Sequence, residues 1–364
     1  MTYPALLAAV GCTDPYPEAG EIYRKAEATG ELYAPLQLAR VPALFGEIAG
    51  DVLAAARLIE ASRAWLAYTN LLRLAYFALP ADKIPLLAPE EGNIPRNFAP
   101  LLALVAHVDT AVCEMEKRGI PKDMQERVNG AYCRMASGHK RDFGFLGIRP
   151  LHFFWAKHYL HPDIFGIGSL EFEITRMPQG EGLFQSRRTG ELVPLRRAAL
   201  TGGAYCGITP LRGGGDGEAR TLTADEYEPL AFSGDDVLSV HIPGGARIAP
   251  ATCRASFCEA LDFFSQYYPE RRIRAFFCRS WLMDPELADV LPEGANILAF
   301  QRLFLRYPTP ATGREVFTFV HPQPFATYEE LPENTTLLRG LKRRYLAGRP
   351  IYLYAGVIPL GKQD

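Results

Sequence analysis

The run Val240-His241-Ile242-Pro243-Gly244-Gly245 puts an imidazole at the end of a short apolar stretch and two glycines directly after it. A neutral imidazole in that position can take a proton from an incoming nucleophile such as an amine. The alternative for His241 is a structural histidine bonded to nearby backbone. The glycines permit a close backbone approach or positive φ. Pro250 suits the first position of a helix, and Ala249 before it is a poor cap. Unsatisfied N–H groups and the positive end of the helix dipole would then face the loop, which is a seat for phosphate. Arg247 could add a charge-assisted bond. The plain alternative is an ordinary strand-to-helix turn.

A second group of reactive residues is Phe276-Phe277-Cys278-Arg279-Ser280-Trp281. Strand alternation puts Phe276, Cys278 and Ser280 on one face. If this strand lies beside the one ending at His241, then His241, Cys278 and Ser280 are expected to converge. Cys278 could act as a nucleophile given a base or cation nearby. The other role for Cys278 or Ser280 is to line the site or serve the leaving group. Glu171 and Glu173 face the same way on an earlier strand, either as a solvated sheet face or with Glu173 as a general base reached through water. No metal site is expected. Cys253 and Cys258 are five apart on a helix, roughly 140° apart around it, and His152, His158 and His161 lack the i, i+4 spacing of a helical zinc pair.

The elements that must position these residues change character along the chain. Residues 1 to about 160 have helical periodicity. Ile48, Val52, Ala55 and Ile59 recur at intervals of four and three. The run continues through Leu66, Leu72 and Tyr76 to Pro80. Leu101–Arg118 is a helix closed by Gly119, Pro121 opens another that ends near Gly138, and Leu151–Leu160 is a short aromatic helix. From Ile167 the period becomes two, with Ser169, Glu171 and Glu173 alternating with Leu170, Phe172 and Ile174. Met177 to Thr223 is rich in Gly, Arg and Thr and reads as hairpin strands and loops, an exposed excursion. Val237–Ile242 is a strand, Cys253 to Tyr268 a helix with Phe257, Leu261 and Phe264 on its apolar face, and Arg274–Trp281 a second strand. That succession argues for a parallel pair with a right-handed crossover. Asp284–Leu291 is a short helix, Asn296–Tyr307 and Glu315–Val320 are strands, Thr336–Leu346 is a basic helix and Ile351–Ile358 a closing strand. The expected fold class is α+β, with an all-α domain over residues 1–150 followed by a mixed-sheet domain over 151–364.

Composition excludes some functions. The net charge of −2 over 364 residues supplies no basic field for nucleic acid. No uncharged apolar run approaches the roughly 18 residues of a membrane span. The most apolar helix, Ala64–Ala81, carries Arg73 in its middle and reads as a core helix. No Lys or Arg precedes Arg24, so a signal peptide is not expected. The seven cysteines form no Cys-x-x-Cys, which points to reduced thiols in a cytoplasm.

One ordered set of residues is more specific: Val240–Gly245, Cys253 with Ser256, Phe263-Phe264, Phe277-Cys278-Arg279-Ser280-Trp281-Leu282, Leu291-Pro292, Asn296-Ile297 and Phe300. With Ile167–Glu173 as the entry to the sheet, it resembles bacterial acyltransferase-domain proteins that join a helical N-acyltransferase N-terminal domain to a GNAT-like C-terminal domain. The resemblance implies a GNAT fold holding acyl-CoA, such as acetyl-CoA, where two adjacent parallel strands splay apart. Pantetheine would run along the strand through Val240 and Ile242, and pyrophosphate would rest on Gly244, Gly245, Ala246, Arg247 and Ala251. It further implies an N-acyltransferase that moves an acetyl or short acyl group to an amine of a small molecule by direct attack on the thioester. The usual Arg/Gln-x-x-Gly-x-Gly/Ala of GNAT pyrophosphate loops is missing from 244–248. A literal match occurs at Arg212–Gly217, but acidic residues rather than a helix follow it, so it reads as a mobile loop. Two other readings stay open: a GNAT-like module that binds CoA or a metabolite without turnover, and a thioesterase using Cys278.

Overall fold

The computed structural model describes residues 1–361. The chain divides into two compact units, with the division in the sequence between Phe165 and Gly166.

The first unit is built of helices. Ala49–Glu60 buries Val52, Ala55, Ala56 and Ile59, as the periodicity requires. It stops short of Ser62, whose hydroxyl accepts from Trp65 N and caps the next helix, Arg63–Ala78. The expected helix over Leu101–Arg118 is instead two, Ile94–Val105 and Val108–Lys117, separated at Ala106 and His107. By length and composition Ile94–Lys117 could cross a membrane, but 67% of its most apolar window is buried inside the protein. The helix after Pro121 runs further than expected, over Lys122–Phe143, and ends at Gly144 with φ +87°.

The second unit carries two sheets. The first contains β1 (Ile164–Ile167), β2 (Leu170–Arg176), β8 (Asp236–His241), β9 (Ile273–Ser280), β10 (Leu305–Pro308) and β11 (Tyr354–Pro359), in the order β1-β2-β8-β9-β11-β10. The second contains β3 (Glu181–Ser186), β4 (Leu192–Thr201), β5 (Ala204–Pro210), β6 (Asp216–Thr223) and β7 (Tyr227–Phe232), in the order β6-β5-β4-β3-β7. Together with the helical unit this makes the protein α+β. The hairpin strands expected over Met177–Thr223 are present as β3 to β6, and with β7 they form a five-stranded antiparallel sheet rather than a loose excursion. Leu183 and Ala231 of that sheet pack with Val237, Ala275, Phe277 and Val357 of the first.

The other face of the first sheet is covered by the crossover helix Pro250–Tyr267, where the Phe257 ring lies 4.7 Å from Phe276 and 5.9 Å from Phe172. Each such ring fully buried is worth roughly 1.5–3 kcal/mol. Gly168, at φ +60°, lets the β1–β2 turn dock on this helix: a Cβ there would stand 2.2 Å from Ser256 Oγ. Ser256 Oγ donates to Thr252 O at 3.0 Å and accepts from Ser169 N at 3.0 Å.

Two expected strands are helical. Asn296–Gln301 and Phe317–Val320 form short helices, and only Leu305–Pro308 of the former region pairs, with β11. Short apolar runs do not distinguish a buried strand from a buried helical turn by period alone. Thr336–Leu346 is a helix over the expected span.

Candidate functional site

The central feature is the way β8 and β9 part. They pair in parallel through Leu238↔Phe276 and Ser239↔Phe277, and no rung joins them beyond. Both strands nevertheless continue. β8 stays paired to β2 through Phe172↔Val240 and Glu171↔His241. β9 stays paired to β11 through Gly356↔Cys278, Ala355↔Arg279 and Tyr354↔Ser280. Each strand follows its outer neighbour, so a wedge opens between Val240–His241 and Cys278–Ser280. An extended polar chain entering it would meet ladder positions on backbone, in the manner of strand addition.

The loop leaving this wedge is an open turn. Ala246 N donates to Pro243 O at 3.0 Å, and Gly245 takes φ +81° at the turn position that requires it. Gly244 and Gly245 are exposed, and a Cβ at either would meet nothing within 4 Å. The crossover helix then starts at Pro250 behind an uncapped Ala249, with no acidic residue in its first turn and with Ala251 and Thr252 exposed. Arg247 is exposed beside it. Open N–H groups, the helix dipole and one guanidinium lie together next to the wedge, a combination that favours an anion.

The register decides which side chains can act together. On a sheet, residues level with one another point to the same face. Ser239 is level with Phe277, so Ser239, His241, Phe277 and Arg279 share the face turned to the second sheet. His241 Nε2 lies 3.1 Å from Glu173 Oε2, with both side chains partly buried. The carboxylate fixes the imidazole ring and favours the tautomer that donates Nε2–H to it. Glu171 faces the same way on β2, level with His241.

The expected convergence of His241 with Cys278 and Ser280 does not occur. Cys278 and Ser280 fall on the opposite face, toward the crossover helix, because they are one residue out of phase with Phe277 and Arg279. Cys278 is 2% exposed, and burial pushes its thiol up to about 12, which keeps it protonated. Ser280 Oγ accepts from Leu282 N at 3.1 Å and caps the turn Trp281–Met283. The two strands lie side by side in parallel as expected, but their register puts His241 level with the Arg279 face rather than the Cys278 face, and that parity is set by a register neither strand contains.

The side chain on His241's face across the wedge is Arg279, and Tyr307 lies two strands further on in the same sheet. Arg279 pairs with Glu181 of β3. Tyr307, in the same lateral row through Ala355, has its hydroxyl buried. Glu181 lies in the segment expected to be an excursion, and no local signal marked it. Alternation within Phe276–Trp281 already set Arg279 apart from Cys278, and only the strand pairing gave that a meaning.

The Arg212–Gly217 match to the phosphate motif is no mobile loop. It is the tight β5–β6 connection, with Gly213 and Gly214 at φ +79° and +87°. Arg212 Nη2 donates to the fully buried Asp284 carboxylate at 2.6 Å, and its guanidinium lies 4.7 Å from the centre of the Tyr352 ring. The loop's charge is thus spent inside the protein. Among the described residues no three His, Cys, Asp or Glu side chains are gathered to hold a metal.

The model of the GNAT-like C-terminal domain family matches residues 164–358. Among solved structures, an acyltransferase in complex with decanoyl-CoA and teicoplanin is similar to this chain with a TM-score of 0.68 and 18% identity, over 99% of this chain and 100% of that one. An acyltransferase variant in complex with octanoyl-CoA gives a TM-score of 0.69 at 18% identity, with the same coverage of both chains. An acyltransferase holding CoA and 10C-teicoplanin gives 0.66, again at 18% identity and that coverage. At that identity the likeness shows a common fold. No curated protein matches the sequence.

Proposed function

The chain belongs to the GNAT-like C-terminal domain family, and from that premise we propose that it is an acyl-CoA-dependent acyltransferase acting on a small-molecule acceptor. The observation that carries this reading is the parting of β8 and β9 after Ser239 and Phe277, directly ahead of an exposed, uncapped helix start. Pantetheine would lie along Val240 and Ile242 in the wedge. The pyrophosphate would rest on Gly244, Gly245, Ala246, Arg247 and the Ala251 N–H, where the dipole and one cation favour it.

The reaction follows from that placement. The acceptor, an amine in this proposal, attacks the thioester carbonyl. A C–N bond forms, the C–S bond breaks and CoA leaves as its thiolate. The proton lost by the nitrogen passes to the His241–Glu173 pair, in which Glu173 stabilises the imidazolium that results. The acyl group is proposed as acetyl or a short acyl. Because structures of similar fold hold octanoyl and decanoyl groups, the assay runs from acetyl-CoA to decanoyl-CoA. The seven thiols, none in a disulfide, support a cytoplasmic setting.

The test has two readouts. Acyl-CoA should raise the melting temperature, and Gly245→Glu, which puts a carboxylate in the phosphate seat, should remove most of that gain. Thiol release should require an amine from an acceptor panel. No thermal gain with any chain length would sink the proposal. Because the Arg/Gln-x-x-Gly-x-Gly/Ala pattern is absent from residues 244–248, a second reading is a CoA-binding sensor without turnover. Stabilisation by CoA with no thiol release from the whole panel would select it.

A further inference from the structure

When an acceptor attacks a thioester, negative charge grows on the carbonyl oxygen and then on the departing sulfur. His241 and Glu173 deal only with the proton. Of the described strand residues on their face of the first sheet, Glu171 and Glu173 are carboxylates and Arg279 is the one permanent cation. Without that cation the face would repel a developing oxyanion.

The place of Arg279 follows from the register. Ser239 and Phe277 are the last level pair of β8 and β9, and His241 and Arg279 each stand two residues further along on the same face. The imidazole and the guanidinium therefore flank the wedge from its two strands. Arg279 is open to a molecule bound there, since its side chain is 35% exposed.

Its orientation is fixed from the second sheet. Arg279 Nη2 donates to Oε1 of Glu181, whose side chain is only 15% exposed. The other oxygen of Glu181 is buried and has no hydrogen-bond partner, so this carboxylate is committed to Arg279. The guanidinium also lies 5.7 Å from the centre of the Phe277 ring. A contact at one nitrogen leaves most of the guanidinium's donors to a ligand. A donor held by an ion pair needs no reorganisation as charge develops beside it. The pairing also decides between ligands. A carboxylate on the acceptor would compete with Glu181 for one cation, whereas a neutral thioester oxygen takes a remaining N–H and gains from the charge only in the transition state.

We propose that Arg279 is a catalytic residue of the acyl transfer, donating a hydrogen bond to the thioester carbonyl oxygen, with Glu181 as its positioning residue. This rests on the acyl-CoA reading above. As the C–N bond forms, the carbonyl π pair moves onto the oxygen beside Arg279. It returns as the C–S bond breaks and the sulfur leaves with its electrons, while the nitrogen's proton goes to His241.

The test uses the full chain. Arg279→Met should lower kcat by about 10²–10³-fold, with KM for acyl-CoA within about twofold and thermal stabilisation by acyl-CoA retained. Infrared difference spectra with acetyl-CoA labelled at its carbonyl carbon need no acceptor. The bound C=O stretch should lie at lower frequency in the parent than in Arg279→Met, and this comparison alone decides if the parent releases no thiol. Because Arg279→Met leaves Glu181 unpaired, the double variant with Glu181→Leu removes the buried charge as well. It should regain stability and stay as slow as the single variant. Activity that returns with stability would make the pair structural and overturn the proposal. So would an equal carbonyl frequency in parent and variant, or turnover of Arg279→Met within about twofold of the parent. Absence of acyl-CoA stabilisation in the parent itself would instead remove the acyl-CoA reading, and this inference with it.

Discussion

Ser239 and Phe277 form the last rung shared by β8 and β9, and what happens past that rung organises the candidate site. Backbone hydrogen bonding is nearly obligatory inside a protein. Two adjacent strands can part only where each keeps a partner on its other side, and β2 and β11 supply those partners for Val240–His241 and Cys278–Ser280. The opening is therefore built into the sheet order. It needs no strain in either strand.

If the His241–Glu173 pair receives the acceptor's proton, its removal should slow chemistry and spare cofactor binding. His241→Ala is expected to lower kcat by about 10²–10³-fold, and Glu173→Gln by less, since Gln keeps the ring's partner but loses the charge that stabilises an imidazolium. The dissociation constant for CoA should stay within about twofold. Stopped-flow and steady-state kinetics with binding by calorimetry separate the two. A parallel loss of CoA affinity would place His241 in binding instead.

Cys278→Ala should leave turnover within about twofold, because the thiol faces the crossover helix and burial holds it protonated. It should cost about 1 kcal/mol of stability through lost packing. Loss of activity at unchanged stability, or acyl transfer to the enzyme visible by mass spectrometry, would restore a catalytic role for Cys278.

Gly168→Ala should destabilise the second unit by about 1–3 kcal/mol. The new Cβ meets Ser256 Oγ at 2.2 Å and the backbone stands at φ +60°. Adding Ser256→Gly should relieve the contact and leave the backbone strain, recovering part of the loss. Chemical denaturation of both variants measures the difference, and full recovery would show that φ contributes nothing.

The helical unit should weaken in mild acid. Burial, helped by Arg149, pushes His152 down to about 4, and burial also lowers His107 and His139. Between the unfolded value near 6.5 and about 4, the unfolded chain binds a proton that the folded one refuses. Stability is therefore fully present above about pH 6.5 and declines as pH falls through that interval. For His152 alone the loss should be about 1–2 kcal/mol, allowing for its residual exposure. Melting curves from pH 7 to 4.5 should show it, and His152→Phe should flatten the slope. An unchanged slope would shift the acid sensitivity to other groups.

Features set by near neighbours were legible in the chain. The change of period at Ile167, the apolar face of Cys253–Phe264, Pro250 behind a poor cap, and the Gly244-Gly245 turn were all visible, because each depends on residues within a few positions. The second sheet was not legible as one. Residues 181–232 close on themselves through five antiparallel strands whose apolar faces are short and interrupted by turns. Asn296–Gln301 and Phe317–Val320 were misread because fewer than seven apolar residues fit a buried strand or a helical turn equally well. Arg212–Gly217 shows that a motif without its structural context carries little: the glycines serve a hairpin and the arginine serves Asp284.

By itself, the sequence determined the strand–loop–helix–strand unit from Val237 to Trp281, with a histidine at its first strand's end and an open helix start after its glycines. Those are local consequences of periodicity, φ preference and capping. Strand pairing alone sets His241 beside Glu173 and on the same face as Arg279, with Cys278 and Ser280 turned away. Strand register is a property of pairs. A shift of one residue turns every side chain to the other face, and the contacts that fix it here come from β2, β11 and the second sheet, all distant in the chain.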